Sequence, residues 1–566
     1  MKESLTLRLS EIASIEMRPE AFVPGQQGNV FARLSSMTRE QKEALLLHLQ
    51  EQQRRKTIRR QVIPVARQAA EPPDVEKMQE VGIRRYLGQI LQNASGKLSE
   101  VAARLPELST EQCRALLAQL LQRSWQGATK ARLSFAQQRC WFFDVLNPGS
   151  STQNIAAAVR AHGPLDLWLL EKCLNAIVAR HETLRTNFVA ASEGPMQVIF
   201  PTRQLMIHHS ELSEAVKEHG DVALYEAIHA EAYRPFLLST GPLMRVNSFH
   251  IGPLEHVLLL TMHHIVGDEW SIGVLLEELG CLYSTHCKEG ALPPLEVQYA
   301  DYAEWQASEV THDAVKTELA FWRKQLSGTQ FVLEVPTNRP RPAMQTNNGL
   351  MEAFVLPGTA VQGMTALARS VDCTNFMAML AAFYSLLHVR TGQRDILVGT
   401  DFANRNRPET SNLIGFFVNE LALRCVLRDD PSFTEILKRT RKTAVEAFSH
   451  PEIPFQWIVE DLKLERDPSR GPVFQVVFDL HNIPMQLEFN GITFESFRIP
   501  KRPAKFDMTL FISESPEDTY ALLEYNTDLY DRETAIQFLH DYSRIVELAV
   551  ACPTIRLSEF CIAMRT

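Results

Sequence analysis

The sequence predicts a mixed α/β protein, and three observations carry that reading. From about Ala131 onward, apolar runs rich in Val, Leu and Phe are separated by long stretches with helical spacing. One run, Val257 to Met262, is short and continuously apolar, as a buried strand is. It leads into apolar positions Ile272, Leu275, Leu276 and Leu279 at i, i+3, i+4 and i+7. The composition is that of a globular chain: 566 residues, 45% hydrophobic and 22% charged, with 25 Gly and 30 Pro. At roughly 100 to 200 residues per domain, such a length corresponds to about three or four domains. Collagen-like, low-complexity and disulfide-scaffold classes are excluded. With 58 basic against 67 acidic residues the net charge is −9, which gives no basic field for nucleic acid or an anionic membrane.

Residues 1–128 are rich in Glu, Gln, Arg and Leu and are expected to be mostly helical. Two segments within them, 34–50 and 105–121, share a Ser/Thr start, an acid (Glu40 or Glu111) and an Ala-Leu-Leu core, the pattern of short amphipathic helices. Between them lies a basic run (Arg54, Arg55, Lys56, Arg59, Arg60, Arg67), followed by Glu71-Pro72-Pro73-Asp74. It reads as a solvated linker, with docking of another protein as the alternative. The region begins at Met1 and is expected to be the natural start of a protein. Further on, Pro336, Pro340 and Pro342 forbid regular helix and predict an extended crossing segment, dividing the rest into lobes 129–335 and 336–566. No signal peptide and no apolar stretch near the roughly 20 residues of a membrane span is found, so a cytoplasmic protein without membrane partners is expected. The nine cysteines include no CxxC pair or zinc spacing and are read as reduced thiols, with Cys140 and Cys425 buried and inert.

Chemistry is concentrated in His263-His264-Ile265-Val266-Gly267-Asp268, which follows the strand and precedes the helix. An imidazole, with an ordinary pKa of roughly 6.5, suits proton transfer near neutral pH. Asp268 is expected to brace the loop through an arginine salt bridge, Gly267 to keep the backbone small beside the site, and Trp270 to lie in the core. Two buried histidines held by backbone groups remain the alternative reading of this string. Adjacent histidines on extended backbone point to opposite faces, so no shared metal is expected. There is no Gly-rich phosphate loop, no G-x-S-x-G elbow and no H-E-x-x-H.

HHIVGDEWS, residues 263–271, resembles the HHxxxDG motif of nonribosomal peptide synthetase condensation domains. Other motifs of that family follow in order: Leu133 to Phe142 (S-x-A-Q-x-R-x-W), Arg180 to Phe188 (RHExLRTxF), Tyr299 to Trp305 (YxDYAxW) and Ile414 to Glu420 (IGxFVNT). His450 to Phe455 and Arg466 to Arg470 complete the series. The resemblance implies an α/β (α+β) fold of two chloramphenicol-acetyltransferase-like lobes in a V, with the His loop in a tunnel between them. It implies an acyltransferase that forms an amide between a donor acyl or peptidyl thioester and an acceptor aminoacyl amine. Both would arrive on carrier proteins bearing 4′-phosphopantetheine, with no cofactor bound by the domain itself. In this light His264 is catalytic, as general base or by positioning the amine, His263 and Asp268 are structural, and Gly267, Glu269 and Asn482 face the tunnel. Arg139 and Arg185 are bracing residues.

Glu269 stands where the family has Gly and would be strained if that position needed a positive φ. The absence of a G-G-x-S carrier motif implies carriers in trans, and the N-terminal region implies docking of an upstream synthase protein or initiation with a fatty acyl donor, including acyl-coenzyme A. The alternative from another class is a non-catalytic gatekeeping domain that recruits a tailoring enzyme; relatives of that kind lose the second histidine, which is kept here. Plant-type coenzyme A acyltransferases need a DFGWG-like segment, which is absent.

Overall fold

In the computed structural model, residues 62–73, 75, 78–91, 103–465, 467–481, 486–499, 501–514 and 518–564 are described. Contacts divide the chain into residues 1–62 and 63–566, and the fold below is that of the second unit. After β1 (Gln68–Ala69), helices α1 (Glu80–Leu91) and α2 (Thr110–Ser124) lead to β2 (Thr129–Arg132) and α3 (Phe135–Leu146). Next come β3 (Asn154–His162), α4 (Leu167–Arg180), β4 (Thr186–Ala191), β5 (Gly194–Ile199), β6 (Ile207–Glu211), β7 (Met244–Gly252) and β8 (Glu255–His263), then α5 (Glu269–Ser284) and α6 (Tyr299–Glu309). The second half holds β9 (Gly349–Leu356), α7 (Asn375–Thr391), β10 (Asp395–Phe402), β11 (Asn419–Val426), α8 (Phe433–Phe448) and β12 (Val476–His481). It closes with the hairpin β13 (Gln486–Phe489) and β14 (Ile492–Phe497), then β15 (Met508–Glu514), β16 (Thr519–Asn526) and α9 (Arg532–Ala551).

Among the described residues these strands form a sheet of order β13-β14-β3-β8-β7-β6, a second of order β11-β10-β12-β15-β16-β9, and a small one of order β1-β2-β5-β4. The apolar run predicted as a strand is the centre of β8, hydrogen-bonded on both sides to β3 and β7. Helix α5 buries Ile272, Leu275 and Leu279 at the predicted spacing and joins α4 in the core of this half. In the second half α7 is buried on every side from Met377 to His388, which explains why its sequence is apolar all round. No single described helix is long and apolar enough to cross a membrane.

The sequence boundary at 335/336 does not separate the two large sheets. Residues 329–348 form no helix or strand, as the three prolines predict, and Arg341 anchors the segment to Asp507. The hairpin β13–β14, however, comes from the second half and pairs with β3 of the first, from Thr493 opposite His162 to Phe497 opposite Ala158. Close backbone approach requires a glycine here: a Cβ on Gly163, at φ +133°, would lie 2.7 Å from the Gly491 carbonyl oxygen.

The N-terminal expectations are revised in part. Segment 105–121 does contain a helix, capped by Ser109 with a reciprocal bond from Gln112. Together α1 and α2 bury Ile83, Leu87, Cys113, Leu117 and Leu121 against Trp125, Val198 and Phe200, so they are built onto the end of β5. Arg67 is not a solvated charge: Nη2 lies 3.0 Å from Asp301 and Nη1 pairs with Glu182. Those two acids belong to the YxDYAxW-like and RHExLRTxF-like segments. Segment 34–50 and the basic residues from Arg54 to Arg60 lie outside the described residues.

Leu117 is fully buried between the two helices. Leu117→Ala is expected to cost about 2–5 kcal/mol, from lost burial and the cavity left behind. Denaturant unfolding checks this, and an unchanged midpoint would mean that the helices do not share the fold's stability.

Candidate active site

Strand β8 ends at His263, a single 3-10 turn spans His264–Val266, and α5 starts after Asp268. The loop is short because Asp268 caps the helix directly: its Oδ1 accepts from the Ser271 N–H at 2.9 Å and from the Ser271 hydroxyl at 2.6 Å. The same oxygen takes Arg405 Nη2 at 2.9 Å, while Oδ2 accepts the Phe417 N–H at 3.0 Å. Both members of the pair are nearly inaccessible, with side chains 1% and 2% exposed. A carboxylate this buried is tolerable only when its oxygens are well supplied with donors, and here it is a clamp between the His loop and the 405–417 segment.

His263 is buried, its Nδ1 accepting from the Ile265 N–H at 3.1 Å and its ring edge-on to Phe236. Burial, helped by the charge of Lys505, brings its pKa down to about 3. His264 differs. Within 263–268 it is the residue that reaches solvent, all others being buried. Its backbone N–H is fixed by the Gln153 carbonyl at 2.8 Å and its ring lies 5.2 Å from that of Phe416. Desolvation, then the nearby charges of Lys505 and Arg139, hold the imidazole well below its usual range, and Nδ1 makes no well-formed hydrogen bond. The loop therefore presents one neutral imidazole.

Gly267 is extended, φ −170°, so its smallness and not its φ matters: a Cβ would lie 2.5 Å from Met262 Sδ. Glu269 is the first helical residue of α5 and is unstrained. Its carboxylate lies 3.0 Å from His481 Nε2 at the end of β12. Burial opposes the charge on Glu269, but His481 outweighs it and the carboxyl stays below its usual range. Trp270 is not core: it is 50% exposed, its indole N–H donating to the Ser411 carbonyl. The 405–417 segment meets the ring through Ser411 and the Arg405 guanidinium, 5.8 Å from its centroid, and leaves half of the residue in solvent. Asn482 lies outside the described residues.

Other charged groups gather here that local spacing did not bring together. Arg139 from α3 pairs with Glu420 of β11 at 2.8 Å and stands over Phe416. Asp401, opposite Glu420 in the β10–β11 ladder, donates its N–H to Asp479. Burial and then the neighbouring Asp479 raise Asp401 well above the carboxylate range; burial also brings Asp479 up to about 6. A signal for Glu420 was present, since it stands where the IGxFVNT pattern ends in Thr. Arg405, 137 residues from Asp268, had none. Arg185 braces a turn through the Phe200 carbonyl. Burial pushes the Cys140 and Cys425 thiols up, to about 11 and about 12. Among the described residues no three His, Cys, Asp or Glu side chains are grouped as a metal site.

The family model for the condensation domain matches residues 128–564. The chain belongs to the condensation-domain family. A linear gramicidin synthase polypeptide from Brevibacillus parabrevis is 41% identical over 420 residues, covering 73% of this chain and 5% of that protein. Phosphinothricin tripeptide synthetase PhsB from Streptomyces viridochromogenes is 38% identical, covering 71% of this chain and 34% of that one. This condensation domain thus spans at most about a third of the length of those relatives. A four-domain nonribosomal peptide synthetase bound to AMP and glycine shares its fold at a TM-score of 0.69 and 24% identity, over 76% of this chain and 34% of that one. The first condensation domain of the calcium-dependent antibiotic synthetase does so at 0.66 and 19%, over 76% and 98%.

Asp268→Ala leaves the Arg405 guanidinium buried without its counter-charge, and a loss of about 3–5 kcal/mol is expected in denaturant unfolding. His263 titrates near its ordinary value when unfolded but only at about 3 when folded. The unfolded chain therefore binds the extra proton, and stability falls as the pH drops from about 6.5 towards 3. Unfolding midpoints across that window should fall less steeply in His263→Gln.

Proposed function

We propose that this condensation domain joins a donor acyl or peptidyl group, held as a thioester on one carrier protein, to the amine of an aminoacyl group held on another. The observation that supports this most is His264: a neutral, solvent-reached imidazole in a loop otherwise locked by buried bonds. The acceptor nitrogen attacks the thioester carbonyl, the C–S bond breaks, and the donor's phosphopantetheine thiolate leaves. One proton of the amine must be removed on the way.

The basicity of His264 selects when it acts. An α-ammonium group has a pKa of about 8, so transfer from it to an imidazole held below 6.5 is uphill. After attack the nitrogen carries a positive charge beside an oxyanion and is far more acidic. His264 takes the proton at that stage and returns it to the departing thiolate, which leaves as a thiol. Deprotonation of the incoming amine is left to solvent. His263 and Asp268 hold the loop, and Glu269 with His481, next to Asn482 in sequence, lines the path of the substrate and influences which acceptor is taken.

The test uses intact-mass spectrometry of an acceptor carrier mixed with this chain and a panel of donor-loaded carriers and acyl-coenzyme A. Wild type adds one acyl unit to the acceptor; His264→Ala slows this by about 10²-fold or more, as loss of a proton-transfer group does. The wild-type rate rises with pH as the amine frees its proton near 8 and shows no separate loss of activity around 6.5. Equal rates with and without His264 would remove the proton-transfer role, and no acylation with any donor would point to a recruitment domain.

A further inference from the structure

Two thiols outside this site are brought together by parts of the chain far apart in sequence. Cys173, on the buried face of α4, is fully inaccessible, while Cys287, in the turn beyond α5, is half-buried. Their Sγ atoms lie 2.9 Å apart across 114 positions of sequence, closer than sulfurs that merely share a core. The turn that delivers Cys287 is unusual in itself. His286 and Cys287 are consecutive non-glycine residues with φ of 54° and 57°, a conformation that side chains other than glycine rarely adopt. It is fixed by the Cys287 N–H on the Leu282 carbonyl at 2.8 Å and the His286 N–H on the Tyr283 carbonyl at 3.2 Å. Relaxing the turn would swing the thiol away from Cys173.

We propose that Cys173 and Cys287 are a thiol–disulfide exchange site, taking a low-molecular-weight disulfide as oxidant. The half-buried Cys287 meets the oxidant first: its thiolate attacks one sulfur, forms a mixed disulfide and releases one small thiol. Cys173 then attacks the Cys287 sulfur through its own thiolate, forms the internal disulfide and displaces the second small thiol. Two protein thiols are oxidised and one external disulfide is reduced to two thiols, so electrons and protons balance. Burial and the neighbouring thiol keep Cys173 protonated at rest, which assigns it the resolving role. The bond ties α4 to the end of α5, the helix whose other end is capped by Asp268, and it forms with the helices already in place.

The full chain is incubated with oxidised glutathione and analysed by non-reducing peptide mapping and thermal unfolding. The wild type should give one peptide linking Cys173 to Cys287, a raised thermal midpoint and unchanged amide-forming activity. Cys173→Ser should stop at a glutathione adduct on Cys287, and Cys287→Ser should leave Cys173 unmodified, neither showing the raised midpoint. Failure of the folded wild type to link the two, linkage of Cys287 to Cys281 instead, or the same products in both variants would overturn the proposal.

Discussion

The buried bond between Asp268 and Arg405 is the constraint on which the site depends. An ion pair with side chains 1% and 2% exposed gives up its hydration, and attraction alone seldom offsets that loss. What makes it tenable is the set of further bonds to Ser271 and to the backbone of Phe417, which leaves the carboxylate fully engaged. The Ser271 hydroxyl in turn accepts the Gly415 N–H at 3.1 Å. The cost of burying the charge is thereby converted into position. The 405–417 segment of the second half can sit on the His loop in one way only, and that way lays Phe416 against His264. Gly415 is part of the same fit, since a Cβ there would lie 1.9 Å from the Tyr299 ring.

Burial and neighbouring charges set the electrostatics. His264 is kept neutral by lost hydration and then by the neighbouring cations Lys505 and Arg139, the latter paired with Glu420. Arg139 thus opposes an imidazolium while its own charge is met by Glu420. A base weakened in this way suits a proton that becomes acidic during the reaction, and it would be a poor choice for the resting ammonium. The raised pKa values of Asp401 and Asp479 share burial as their first cause, to which the neighbouring Asp479 adds at Asp401.

Much of this was legible from spacing. The strand, the turn and the amphipathic helix around residues 257–279 follow from local pattern, because each is decided by side chains within a few positions of one another. So does the irregular segment 329–348, where proline leaves no alternative. The partners of the site were not legible in that way. Arg405, Phe416, Glu420 and His481 meet the His loop only through the packing of the two halves, and no periodicity encodes a contact between residues more than a hundred positions apart. Trp270 was misread for the same reason: an aromatic beside an amphipathic helix looks like core, and its polar partners Ser411 and Arg405 lie far away in sequence. The crossing hairpin escaped because a strand's sequence says that it will pair, not with which sheet.

Glu269 shows how such long-range partners decide what a local departure means. Judged by the family motif, an acid in place of glycine suggests strain or disruption. In place, it occupies the first turn of α5, where a carboxylate is favoured by the exposed N–H groups and the helix dipole. Its charge is met 3.0 Å away by His481, which stands just before the chain crosses to the first sheet as β13. The acid therefore joins the helix that follows the His loop to the end of β12, adding a contact that glycine lacks. Because the carboxylate is 44% exposed and the imidazole 23%, solvent still reaches the pair. On the proposed substrate path, a group entering there would have to displace water from both, which favours polar groups able to replace those bonds over purely apolar ones.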